Sequence, residues 1–504
     1  MDRVTAPSPV TPAPPADLPG TLGELRAAGH AYRTVKQELR ENLLARMRSG
    51  ADRFPGIVGY DDTVLPEVER ALLAGHDMVL LGERGQGKTR LIRSLVGLLD
   101  EWTPVIAGSV LNEHPLRPLT PGSRALVAEA GDDLPVAWLH RSLRYGEKLA
   151  TPDTSVGDLI GDVDPIRIAQ GRTLGDPETI HFGLVPRTNR GIFAVNELPD
   201  LAERIQVALL NVLEERDIQV RGYQLRLPLD LFMVASANPE DYTNRGRIIT
   251  PLKDRFGAEV RTHYPVDLDL ELTLIRQEAD LVAEVPEHVL EVLARFARAV
   301  RESPSVDPRS GVSARFAIAA AETVAAAALR RAGLLAAGLP PAELSGRAPS
   351  TSESDDKVPS LSSEGAVARV GDAVSVTSTL RGKVEFESGE EGREVEILGH
   401  LLRTATAETF RSRLAGLDLS GFTALVDEDT VIETGELVGS AELLRQVGTV
   451  PGLAKALDRL GLGDAPTPDQ AAAGVEFVLE GLHLTRRLGK DVTDSGRTRY
   501  GGRA

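Results

Sequence analysis

Residues 78–92 read MVLLGERGQGKTRLI, and this short stretch constrains the fold more than any other. Gly82, Gly87, Lys88 and Thr89 fit the spacing G-x-x-x-x-G-K-[ST]. An apolar strand, MVLL, precedes the glycines and a helical stretch, TRLIRSLVGLL, follows them. That is the context in which such a spacing makes a phosphate-binding loop. Glycines let backbone N–H groups wrap a phosphate, and the helix N-terminus adds a partial positive charge. Lys88 is placed to reach the β- and γ-phosphates of a nucleotide, and Thr89 to ligate Mg²⁺. The predicted cradle therefore runs through Gly82, Glu83, Arg84, Gly85, Gln86, Gly87, Lys88, Thr89 and Arg90.

A strand–loop–helix of this kind needs a sheet around it. Apolar runs at 78–82, 104–108, 191–198, 231–237 and 258–263 alternate with helical stretches. Strands separated by helices predict an α/β fold, a parallel sheet with helices on both faces. This core is expected over 51–265. Before it, residues 1–20 are Pro/Ala-rich and expected to be disordered, and 21–50 are helical in pattern. After it come a helical region at 266–337, a Pro/Ser-rich flexible insertion at 338–380, a mostly helical C-terminal region at 381–485 and a flexible tail at 486–504.

Composition removes several classes of function. The chain has 504 residues and a formal net charge of -17. An acidic chain lacks the field that a general nucleic-acid coat requires, so no nucleic-acid partner is expected. It has no Cys, which excludes disulfides, thiolate metal sites and Cys nucleophiles. No apolar run has spanning length and no signal peptide is evident, so a cytoplasmic, non-membrane protein is expected. An acidic stretch at 385–396, EFESGEEGREVE, reads as a solvated face or a dock for a basic partner.

Other strand ends carry candidate chemistry. In GIFAVNELPDL (191–201), Glu197 ends an apolar strand and should emerge at the sheet edge beside the cradle. A carboxylate there can polarise an attacking water. Asn196 precedes it. Asn238, in FMVASANPED, closes another apolar strand and can orient water or a phosphate, although Asn-Pro also marks turns. Arg255, in TPLKDRFG, is placed either to reach a neighbouring subunit's γ-phosphate or to pair with Asp254 at the surface. Arg315, in GVSARFAIAAAE, starts a helix and either contacts the same nucleotide or decorates that helix.

The order of these motifs resembles that of AAA+ ATPases, most of all the clade of the magnesium chelatase small (I) subunit and the MoxR-type ATPases. FPGIVGYDD (54–62) is similar to the segment entering an AAA+ domain, which implies that Val58 and Gly59 lie near the adenine. GLVPRTNRGIFAVNELPDL, SANPED and LKDRFGAEV are similar to the clade's acidic-strand, sensor-1 and arginine-finger segments. The resemblance covers about residues 54–335 and implies a P-loop AAA+ core followed by a helical lid. It implies ATP and Mg²⁺ as ligands, Glu197 as activator of water, Asn238 as sensor 1, Arg255 as a finger acting in trans and Arg315 as sensor 2. It also implies a homo-hexameric ring, a partner carrying a von Willebrand factor A domain, and a hairpin whose returning arm is TIHFGLVPRTNRG (179–191).

Where this clade has Asp, the present chain has Asn196. Asn keeps one acceptor oxygen and loses the charge, so weaker Mg²⁺ affinity through bound water is expected, with hydrolysis retained. The expected function is an ATP-hydrolysing motor that remodels a partner protein or a metal-insertion complex. The alternatives are a nucleotide-dependent scaffold with little turnover, a true magnesium-chelatase ATPase subunit, and a transcription-activator or nucleic-acid motor. The last lacks its GAFTGA string here.

Overall fold

The computed structural model describes residues 12–163, 179–214, 218–220, 223–225, 227–239, 247–307, 311–337, 366–424, 431–493 and 497–501. Contacts divide it into two units, Met1–His263 and Tyr264–Ala504.

The first unit is built on β1 (Met78–Leu81), β2 (Tyr145–Leu149), β3 (Gly191–Asn196), β4 (Leu231–Ala237) and β5 (Ala258–Arg261). They form one sheet in the order β5-β1-β4-β3-β2, with every pairing parallel. β1, β3 and β4 are buried along their whole length. That explains their unbroken apolar sequences, because a parallel sheet covered on both faces leaves no side for polar residues.

Successive side chains point to opposite faces, and two separate cores result. The flanking helices are α1 (Val35–Ser49), α2 (Val64–Ala74), α3 (Lys88–Ser94), α4 (Glu203–Glu214) and α5 (Thr250–Arg255). Met78, Leu80, Ile192, Ala194, Phe232 and Val234 pack with Leu39 of α1, Val68 of α2 and Leu91 of α3. Val79, Leu81, Phe193, Val195 and Met233 pack on the other face with Ile205 and Leu209 of α4 and Leu252 of α5.

One strand differs from the sequence reading. The run at 104–108 is not in this sheet. Trp102–Ile106 pairs antiparallel with Val136–His140 instead. The fifth strand is β2, YGEKL, at the sheet edge, with Glu147, Lys148 and Leu149 at least partly exposed. An edge strand needs little apolar surface, so its sequence carries no strong signal. α1 is fixed beneath it by a buried ion pair. Arg144, fully buried, donates to both Glu38 carboxylate oxygens at 2.6 Å. Gly161–Val163 and Ile180–Phe182 pair antiparallel, so the expected returning arm begins as a strand.

The second unit is mostly helical. It contains α6 (Leu268–Glu278), α7 (Glu287–Glu302), α8 (Ala314–Ala337), α9 (Glu394–Arg413) and α10 (Pro468–Leu484). Ile275, Phe296, Phe316, Phe410 and Phe477 from these five helices share one apolar core. The Ala-rich face of α8 (Ala317, Ala320, Ala321, Ala325, Ala328) is fully buried. Within the expected tail, Thr498–Tyr500 is the central strand of a three-stranded antiparallel sheet, and Tyr500 is buried. Of the flexible insertion expected at 338–380, residues 338–365 lie outside the described residues, while 366–380 are ordered instead, with a short helix at Val374–Thr379 and Val370, Val376 and Leu380 buried in the apolar core. Among the described residues no helix is long and apolar enough to cross a membrane.

Candidate nucleotide site

The loop from Gly82 to Gly87 leaves β1 at its C-terminal end and enters α3 at Lys88. Gly85 and Gly87 have φ of 75° and 76°, a region that residues with a Cβ avoid. At Gly82 the limit is space: a Cβ there would collide with Thr262 Oγ1 and Gln86 Oε1. Thr262, just past β5, donates to Gln86 Oε1 at 2.8 Å and through its backbone to Leu81 O at 2.9 Å. Gly82 N donates to Ala237 O at 3.1 Å. The loop is thereby held between the ends of β4 and β5.

Lys88 is buried, and its ammonium donates to the carbonyls of Gly82 and Glu83, the latter at 2.7 Å, and to Asn238 Oδ1 at 2.9 Å. The register sets this meeting. Leu81 lies opposite Ala237, so the residues that follow each strand emerge side by side. Thr89 is partly buried in the first turn of α3, while Arg84 and Arg90 are exposed.

Asn196 and Glu197 end β3 at the same edge. Asn196 Nδ2 donates to Glu147 Oε1 of β2 at 2.6 Å, and its Oδ1 accepts from Ser236 Oγ of β4 at 3.2 Å. Glu197 N donates to Ser236 Oγ at 3.2 Å. Glu197 has φ 56°, a left-handed conformation unusual outside Gly, with its side chain partly exposed. Glu147 also accepts from Arg93 of α3 at 2.9 Å through both oxygens, and from Tyr145 at 3.0 Å. Burial opposes ionisation of Glu147, but the bonds from Arg93, Tyr145 and Asn196 hold its carboxyl below the usual range.

Val58 and Gly59 lie partly buried in the loop before α2, with Gly59 at φ 80°. The next residue ties that loop to the cradle. The Tyr60 hydroxyl meets the carbonyls of Gln86 and, at 3.0 Å, His263. Burial pushes the Tyr60 hydroxyl up to about 12, so it stays a protonated donor. Arg255 ends α5 and pairs with Glu214 of α4, not with Asp254. Arg315 is exposed in the first turn of α8, in the second unit.

Lys88 and Asn238 thus meet directly, and Asn196, Glu197 and Ser236 form a second cluster on the adjoining strands. Tyr60, Glu147, Ser236 and Thr262 were not singled out from sequence. Tyr60 and Ser236 stand inside the quoted motifs, where a polar residue in an apolar strand (Ser236) was a usable signal. Glu147 and Thr262 had none. The donor set fits a Mg²⁺-nucleotide. Loop amides and an ammonium suit phosphate, and the Thr89 hydroxyl with the Asn196 amide oxygen are the hard oxygens that Mg²⁺ takes. Asn196 Oδ1 accepts one bond from Ser236 and has a second lone pair to offer.

No protein-family model matches the chain. It is 28% identical over 232 residues to magnesium-chelatase subunit ChlI-1 of Arabidopsis thaliana, covering 45% of this chain and 51% of that one. It is 26% identical over 239 residues to subunit ChlI of a Nostoc strain, covering 46% and 60%. The chain thus spans little more than half the length of these relatives. A cryo-EM-based structure of the magnesium-chelatase BchI–BchD complex superposes with a TM-score of 0.34 at 24% identity, covering 56% of this chain and 88% of that one. The five-stranded parallel sheet and the loop between β1 and α3 make the first unit a P-loop α/β core, and its sequence is similar to that of magnesium-chelatase I subunits.

Proposed function

We propose that this chain binds ATP with Mg²⁺, hydrolyses it to ADP and phosphate, and works as an AAA+ motor of the magnesium-chelatase/MoxR kind. The observation that carries this reading is the Lys88 ammonium held between the phosphate loop and Asn238. Lys88 exchanges loop carbonyls for the β- and γ-phosphate oxygens. Thr89 would hold Mg²⁺ directly and Asn196 through a bound water, and the ion when bound would neutralise charge developing on the phosphates. Glu197 takes the proton of the attacking water, and Asn238 orients that water against the γ-phosphate. Tyr60 keeps the Val58–Gly59 loop against the cradle, on the adenine side.

Arg255 acts on the nucleotide of a neighbouring subunit in a homo-hexameric ring, which requires it to leave Glu214. That exposed pair is worth about 0–1 kcal/mol and does not prevent it. Arg315 serves as sensor 2. The work done is the remodelling of a partner protein or metal-insertion complex in the cytoplasm, with a von Willebrand factor A protein as partner.

Steady-state ATP hydrolysis against Mg²⁺, for the native protein and Glu197→Gln, tests the proposal together with particle mass with and without ATP. Turnover dependent on Glu197, with ATP-promoted assembly, supports it. Tight ATP binding and assembly without turnover favours the scaffold reading instead.

A further inference from the structure

Asn196 reads in isolation as an Asp that has lost its charge. Its surroundings say otherwise. The amide hydrogens of Asn196 face Glu147 Oε1 at 2.6 Å, a position in which a second carboxylate would meet like charge. The same Glu147 carboxylate takes both guanidinium bonds of Arg93 at 2.9 Å. Arg93 stands one helical turn after Thr89 on α3, on the same side of the helix. Glu147 therefore joins the element that carries Thr89 to the strand end that carries Asn196. Through Asn196 Oδ1 and Ser236 the chain of bonds continues to the backbone N–H of Glu197.

We propose that Glu147 is a positioning residue for the nucleotide-bound metal, and that Asn196 and Glu147 are a charge-swapped pair. The negative charge beside position 196 sits on Glu147 of β2, and the β3 residue is an amide, which donates to that carboxylate where an ionised aspartate could not. Glu147 fixes the amide with its oxygen toward Ser236 and sets the spacing between Thr89 and Asn196. An Asp at position 196 is then a harmful change, and becomes acceptable once residue 147 is neutral. This rests on the nucleotide-binding reading above.

The test compares the native protein, Glu147→Gln, Asn196→Asp and the double variant. ATP affinity is measured in EDTA and in saturating Mg²⁺, and melting temperature is measured without nucleotide. In EDTA the four should agree within about threefold, because the P-loop is intact. Each single variant should lose about tenfold of the Mg²⁺-dependent gain in ATP affinity, as outer partners of metal ligands do. The double variant should recover most of it, and should also recover the melting temperature lost in Asn196→Asp, a coupling that independent sites do not show.

Tighter Mg²⁺-ATP binding by Asn196→Asp with Glu147 in place overturns the proposal. So do losses that simply multiply in the double variant. If the native protein fails to bind ATP even in EDTA, the nucleotide reading falls. The pair is then judged by melting temperature alone, where rescue supports the charge swap and its absence overturns it.

Discussion

Lys88 is a buried cation whose ammonium rests on two loop carbonyls and on Asn238. Lys88→Met removes the charge and keeps the length, so ATP affinity should fall by about two orders of magnitude, a few kcal/mol of charge-assisted bonds. Equilibrium binding of a fluorescent ATP analogue checks this; unchanged affinity would remove Lys88 from the site. Tyr60→Phe leaves the Gln86 carbonyl short of a donor. It should cost about 1 kcal/mol of stability in denaturant melts, with a few-fold weaker nucleotide binding. Both residues were visible in the sequence, but only Lys88 had a spacing that gave it a role. Tyr60 acquires its role from contact with a loop 26 residues away.

At the scale of elements, the P-loop works because β4 and β5 end beside it. Gly82→Ala pushes a methyl into Thr262 and Gln86, so it should disrupt the loop and abolish ATP binding while the sheet survives. Far-UV circular dichroism with a binding assay separates those outcomes, and retained binding would show that the loop can give way. α1 is joined to β2 by Arg144 and Glu38. Removing one partner of a buried pair strands the other, so Glu38→Ala should destabilise the first unit by about 3–5 kcal/mol. A loss below about 1 kcal/mol in urea melts would mean that water reaches Arg144. The buried strands β1, β3 and β4 were legible as continuous apolar runs. β2 was not, since the polar residues of YGEKL satisfy an edge.

The whole molecule carries histidines in both units that folding keeps neutral. Burial lowers His288, packed 4.9 Å from Phe477, to about 3. Burial, with Arg190 and His30 nearby, lowers His114 to about 2. Unfolded histidine takes a proton near pH 6.5, and these two do not. Between the two values the unfolded state binds more protons, so stability rises with pH and falls on acidification below about pH 6.5. Each histidine contributes a slope of at most about 1.4 kcal/mol per pH unit. Urea melts from pH 7.5 to 4.5 should show the fall, and His288→Gln should reduce it in the second unit. A slope unchanged in that variant would place the acid sensitivity elsewhere.

The P-loop, the α/β class, the three central strands and the residues at their ends are legible in the chain's local pattern. Each of these is dictated locally, by glycine conformation, by two-faced burial or by the period of apolar residues. The tertiary structure alone decided what those ends touch. It paired Arg255 with Glu214, brought Tyr60 to Gln86, and placed Glu147 against Asn196. Such contacts join residues tens of positions apart through sheet order and register. No local pattern encodes that order, because a strand's neighbours are chosen by packing of the whole sheet.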